Sequence, residues 1–169
     1  AAISSFVKTG SYHDVQSIQH DIAQQYLADM SKYATAVTSV RIRACYNSIP
    51  AQLAKENNKF QYKIVQRGGT ATLFGESIEW LGFAGILLKC QKLEHGFMPV
   101  SAYADLPNFK LYMGDIGMLN LHARIPLQLL LSPIEVDNIF LGSMAENYVA
   151  QALVARGIDL YYWQSDGKA

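Results

Sequence analysis

Apolar residues recur at helical spacing in the stretch Gly142 to Ser165, GSMAENYVAQALVARGIDLYYWQS. Ala145, Tyr148, Val149, Ala152 and Leu153 fall at i, i+3, i+4, i+7 and i+8 and make one apolar face of a helix. Glu146, Gln151 and Arg156 lie off that face, and Gly157 follows where a left-handed residue ends a helix. This spacing predicts a core helix over 142–156. Ile158, Leu160 and Tyr162 then alternate with Asp159, Tyr161 and Trp163, the period of a strand over 158–163.

The same reading covers the rest of the chain. Ser11 and Asp14 form a capping box before Val15, Ile18, Ile22, Tyr26, Met30 and Tyr33, which predicts a long helix over 12–33. Ser39 is the expected cap of a second helix whose inner face is Ile42, Cys45, Tyr46 and Ile49. Pro50 is expected to break it and to start a short third helix reaching about Asn57. Phe60, Tyr62 and Ile64 alternate like a short strand, and Arg67-Gly68-Gly69-Thr70 reads as a turn. Phe74, Ile78, Leu81 and Gly85 mark a helix over 71–84 that is apolar nearly all round, hence mostly buried. Ile86–Leu93 reads as a strand and Met98–Tyr103 as its antiparallel partner, so helix plus hairpin gives a winged-helix outline. Phe109–Met113 is another strand, Asp115 caps a short helix through Leu121, and 123–138 divides into short helices and loops.

The 169 residues suffice for one domain or two small ones. Lys plus Arg equals Asp plus Glu, at 14 each, which speaks against wholesale binding to nucleic acid or membrane. Cys45 and Cys90 form no C-x-x-C, so two reduced, buried thiols of a cytoplasmic protein are expected. His13, His20, His95 and His122 are scattered without metal-ligand spacing, and Ser143 lacks the context of a hydrolase nucleophile. No apolar run is long enough to span a membrane. The chain lacks an initiator Met and stops after a strand-like stretch, so it is expected to be a piece of a longer protein, cut at both ends.

The segments RIRACYNSIPAQLAKENNKF, FGESIEWLGFAGIL, PVSAY, FKLYMGDIGMLN and GSMAENYVAQALVARGIDLYYWQSDGKA carry a resemblance. Together they are similar to the C-terminal domain of unknown function of prokaryotic, archaeal-type AAA+ family P-loop ATPases. The resemblance implies a helix-rich α+β fold: a helical and winged-helix-like part over 1–108, then an incomplete restriction-endonuclease-like α/β part over 109–169. It implies the parent's own ATPase domain as a partner and confines ATP and Mg to that missing domain, leaving no cofactor for this chain. It also makes the helix bearing Glu146 the first core helix of the nuclease-like part. Family members continue into an E-x-D strand, whereas this sequence ends at Gly167-Lys168-Ala169. One carboxylate does not build a Mg²⁺ site, and no G-x-x-x-x-G-K-[ST] is present. A non-catalytic module for domain organisation or recognition of a protein partner is therefore expected, with Glu146 as a weak catalytic candidate. The alternative is DNA binding through Lys89, Lys92 and Lys110 around the hairpin, although helix 71–84 offers Glu76, Ser77 and Glu79 and no Lys or Arg. A third expectation is a homodimer through the strand edge at 158–163.

Overall fold

The computed structural model describes residues 2–32, 35–55, 59–126 and 137–164. The fold is α+β and rich in helix. Helices α1 (Ala2–Thr9), α2 (Tyr12–Lys32), α3 (Ala36–Leu53), α4 (Tyr62–Val65) and α5 (Ala71–Phe83) precede the strand β1 (Leu87–Leu93). A 3₁₀ turn (Val100–Tyr103) leads into β2 (Ala104–Met113), followed by α6 (Ile116–Ala123), α7 (Asn138–Val154) and β3 (Tyr161–Tyr162). Among the described residues, no helix is long and apolar enough to cross a membrane.

Local chemistry sets most boundaries. Ser11 Oγ accepts the Asp14 N–H at 3.2 Å and starts α2. Thr35, rather than Ser39, caps α3 by accepting from the Thr38 N–H at 3.2 Å. Ser39 is buried within that helix. The expected break at Pro50 is absent, because α3 runs through it to Leu53. Proline has no N–H for the carbonyl four residues back, which is that of Tyr46. A ring N–H of His122 takes its place, with Nε2 3.1 Å from the Tyr46 oxygen and the two rings 4.4 Å apart. A side chain from another helix thus supplies the bond that the proline removes.

The expected strand at 60–65 is instead the single turn α4. Gln52, buried at the end of α3, holds both the N–H and the C=O of Gln61 at 3.0 Å. Phe60 is used in packing, its ring stacked on Phe109 at 5.5 Å with Tyr62 edge-on at 5.2 Å. Among the described residues, one isolated bridge, Lys59 to Lys110, joins this segment to the sheet.

The sheet has the order β2-β1-β3. β1 runs antiparallel to β2, from Leu87↔Met113 to Gln91↔Phe109, and the register then shifts to Lys92↔Asp105. The partner of β1 is therefore 104–113 and not 98–103. Pro99 lacks a donor for a ladder, and the next four residues turn as a 3₁₀ helix. Gln91 braces the shift by donating from Nε2 to the Asp105 carbonyl at 2.7 Å and to that of Asn108 at 3.3 Å. β3 is shorter than the alternation predicts and pairs with β1 in parallel only at Gln91 and Lys92. At the base of the hairpin Gly114 lies so close to Gly85 that a Cβ would meet its carbonyl oxygen at 2.3 Å.

The core forms where α3, α5, α6 and the sheet meet. Ile42, Ile49 and Leu53 of α3, Leu81 of α5, Leu87 of β1 and Leu119 of α6 are at most 2% exposed. The long α2 buries only Met30 fully and lays Ile22, Tyr26 and Leu27 against this core.

Candidate functional site

α7 starts earlier than its apolar period suggests. Asp137 caps it by accepting the Ile139 N–H at 3.1 Å. Gly157, at φ +73°, ends it in the left-handed conformation glycine tolerates, and the Ile158 N–H returns to the Leu153 carbonyl at 3.1 Å. The expected core face, however, is not the buried one. Tyr148 is 61% and Val149 55% exposed, and Ala145 and Ala152 are exposed with them. The buried residues are Phe140, Ser143, Asn147 and Ala150.

The inward face carries a polar row, Ser143, Asn147 and Gln151, one helical turn apart. Each meets a backbone group that its own element leaves without a partner. Ser143 Oγ donates to the Leu53 carbonyl, at the end of α3, at 2.7 Å. Asn147 accepts the Met113 N–H at 2.7 Å and donates to the Met113 carbonyl at 2.9 Å, closing the outer edge of β2. Gln151 accepts the Ile116 N–H at 2.9 Å, one of the open donors at the start of α6. One helix therefore satisfies the ends of three other elements.

Glu146 sits beside this row. Its Oε2 accepts the Tyr112 hydroxyl at 2.8 Å and the Lys110 ammonium at 3.0 Å. Lys110 also lies 5.2 Å from the centre of the Tyr162 ring and pairs in register with Cys90. Burial, then the bond to Glu146, pushes the Tyr112 hydroxyl well above the usual tyrosine range. Burial also raises the Cys90 thiol to about 11, with Lys110 lowering it and Glu146 raising it. Glu146 is thus an acceptor latching α7 to β2. Its side chain is 46% exposed, so the ion pair contributes only about 0.2–1 kcal/mol.

The three lysines do not share a face. Lys110 turns toward α7, while Lys89 turns toward α5, where it bonds Glu79 at 2.7 Å and overlies the Phe109 ring at 4.8 Å. Lys92 lies 3.9 Å from Asp105. Each lysine thus faces a carboxylate. Asp115 is a helix cap, its Oδ1 accepting the Met118 N–H at 3.0 Å. Among the described residues, no group of three His, Cys, Asp or Glu could hold a metal ion.

Sequence reasoning missed the buried amides Gln52 and Asn147 and the role of His122. The only signal for the polar row was its spacing, Ser143, Asn147 and Gln151 at i, i+4 and i+8. That pattern reads as a solvent face unless the apolar face opposite is known to be outside.

A helix-rich α+β domain, held together by side chains that close backbone ends, is the class these features define. Residues 1–129 match the family described as Domain of unknown function (DUF8612), and the chain belongs to that family. No curated protein and no solved structure matches it.

Proposed function

We propose that the chain is a non-catalytic C-terminal region of a prokaryotic AAA+-type ATPase, serving to organise domains and to recognise a protein partner. The observation that carries this reading is the pairing of Lys89, Lys92 and Lys110 with Glu79, Asp105 and Glu146. A surface that binds phosphates offers cations whose small counterions are released on binding. Here each cation already has a carboxylate beside it, on whichever side of the sheet it lies. The winged-helix-like and nuclease-like assignments belong to the same reading and rest on the resemblance of the sequence segments. Glu146 supports the non-catalytic part, since Lys110 and Tyr112, which donate to its Oε2, come from β2 and tie helix to sheet.

The test has two arms. Anisotropy of a labelled random duplex and a single strand, at low and moderate salt, should show no saturable binding to the chain. Binding that weakens steeply with salt would overturn the protein-partner reading in favour of a nucleic-acid module. In the second arm the coding sequence upstream is read for a P-loop, and that domain is expressed apart and titrated with the chain. A P-loop domain that binds it supports the reading, and the lack of one, or of binding, overturns the ATPase context.

A further inference from the structure

The helix α6 presents one face to a cavity along most of its length. Gly117, Leu121 and Arg124 fall at i, i+4 and i+7 on that face, and all three line a space of about 670 Å³. Phe6 of α1, Val15 of α2 and Met144 of α7 give the space further walls, largely apolar. The volume lies within the ~300–1,000 Å³ that small-molecule sites occupy. From Gly117 to Arg124 the helix rises about 10 Å, which sets the length of an occupant lying along it.

The charged groups of the lining are Asp115 and Arg124, with His20 a third when protonated. Asp115 is committed to the start of α6, where its Oδ1 accepts the Met118 N–H at 3.0 Å and faces the positive end of the helix. Among the described residues, no carboxylate lies within ion-pair distance of the Arg124 guanidinium. Among the same residues, Arg124 alone takes a left-handed backbone without being glycine, at φ +55°. It ends α6 there, its N–H donating to the Leu121 carbonyl at 3.1 Å. That bond needs only a backbone, and Gly157 ends α7 in the same conformation. Gly10, Gly68 and Gly85 are left-handed too. At 124 the chain instead holds a long cation, at a steric cost that glycine avoids. Non-glycine residues held in this conformation gather at ligand clamps.

We infer that the cavity along α6 binds a medium-chain apolar carboxylate, its chain among α1, α2 and α7 and its acid group on the Arg124 guanidinium. The planar fork of an arginine offers a carboxylate two parallel N–H···O bonds. Arg124 is exposed, so the acid group keeps water on its outer side while the chain is covered. The apolar walls call for the chain and the unpaired guanidinium for the acid, so the ligand needs both parts. The site is separate from the partner recognition proposed above and stands or falls without it.

The probe is decanoate, titrated calorimetrically into the full chain below its micelle-forming concentration, with decanol and acetate as controls. Decanoate should bind saturably, one per chain. Decanol, which lacks the charge, should bind about tenfold more weakly, and acetate, which lacks the chain, should not bind in the same range. Arg124→Gly should weaken decanoate about tenfold and leave decanol within about threefold. Because glycine relieves the backbone, that variant should melt no lower than the parent chain, which separates lost binding from lost folding. Val15→Trp, at a half-buried wall position, should weaken both ligands. In amide NMR spectra decanoate should shift Leu121 and Arg124 and leave Gln91 in the sheet unmoved, a readout that needs no variant. No saturable binding, several decanoates per chain, decanol as tight as decanoate, full affinity in Arg124→Gly or unmoved Leu121 and Arg124 amides would overturn the inference.

Discussion

Asn147→Ala tests the role of the polar row most directly. Asn147 is fully buried and makes both hydrogen bonds to Met113, at 2.7 and 2.9 Å. Truncation leaves one N–H and one C=O inside the protein with no partner, and each such orphan costs about 1–3 kcal/mol. A small void adds to this, so a loss of about 3–5 kcal/mol is expected. That is a large share of the ~5–15 kcal/mol that holds a domain together. For a chain of this size it lowers the melting temperature by ~6–20 °C. Val149→Ala, two residues along on the outer face, should cost less than about 1 kcal/mol. Urea unfolding followed by far-UV circular dichroism compares the two, and hydrogen exchange reads the Met113 amide separately. The Met113 amide should lose protection in Asn147→Ala while the Lys110 amide keeps its own. If the two variants unfold at the same urea concentration, the inward row is not a structural clamp and the burial argument fails.

Four further outcomes follow from the same geometry. His122 is held neutral chiefly by burial, with Arg124 adding to the effect and the Tyr46 bond opposing it, so its folded pKa lies below the ordinary 6.5. The unfolded chain then binds more protons, and stability should fall as pH drops below about 6.5, by at most ~1.4 kcal/mol per pH unit from this group. His122→Gln should flatten that slope in pH-dependent urea melts. Gly114→Ala should destabilise by about 2 kcal/mol or more, since the new Cβ meets backbone that cannot swing aside; thermal melts check it. Cys45 and Cys90, raised by burial to about 12 and about 11, should not react with a thiol reagent at pH 8 until the protein unfolds. Tyr112→Phe should cost ~1–2 kcal/mol in urea unfolding through the lost bond to Glu146.

Local signals in the sequence were legible where one residue type decides the geometry. The cap at Ser11, the cap at Asp115, the turn at Gly68 and the stop at Gly157 occupy their expected places, although the Ser11 N–H bonds Thr9 Oγ1 and not Asp14, so only half of the expected box forms. The helix over 71–84 and the strand over 86–93 match α5 and β1 within two residues. Errors arose where a distant group overrides a local rule. Pro50 breaks a helix in isolation, but His122, 76 residues from Tyr46 in sequence, satisfies the freed Tyr46 carbonyl. The alternation at 60–65 indicates a strand, yet Gln52 fixes Gln61 first. The 123–138 reading lies largely outside the described residues. Apolar periodicity found α7 but chose the wrong face, because a face that closes backbone ends must be polar. Glu146 and Lys110 were each singled out for chemistry, and their mutual contact was not, since nothing in a linear pattern pairs residues 36 apart.

The inward polar row also bears on the link from α7 into β3. An apolar helix face can slide along a sheet with little penalty, because hydrophobic contact is non-directional. A carboxamide that must meet the N–H and C=O of one residue allows a single position. Asn147 therefore fixes the height of α7 along β2, and Ser143 and Gln151 fix its tilt through α3 and α6. Val154, Gly157 and Ile158 follow on the same helix and its cap, so their distance from Leu87 and Lys89 is set by the same bonds. Asn147→Ala should consequently speed hydrogen exchange of the Gln91 amide, which bonds the Leu160 carbonyl, as well as lower stability. The comparison is made at low temperature, where the variant remains folded. A variant that is folded and destabilised, yet exchanges the Gln91 amide at an unchanged rate, would show that the link into β3 does not depend on where α7 is held.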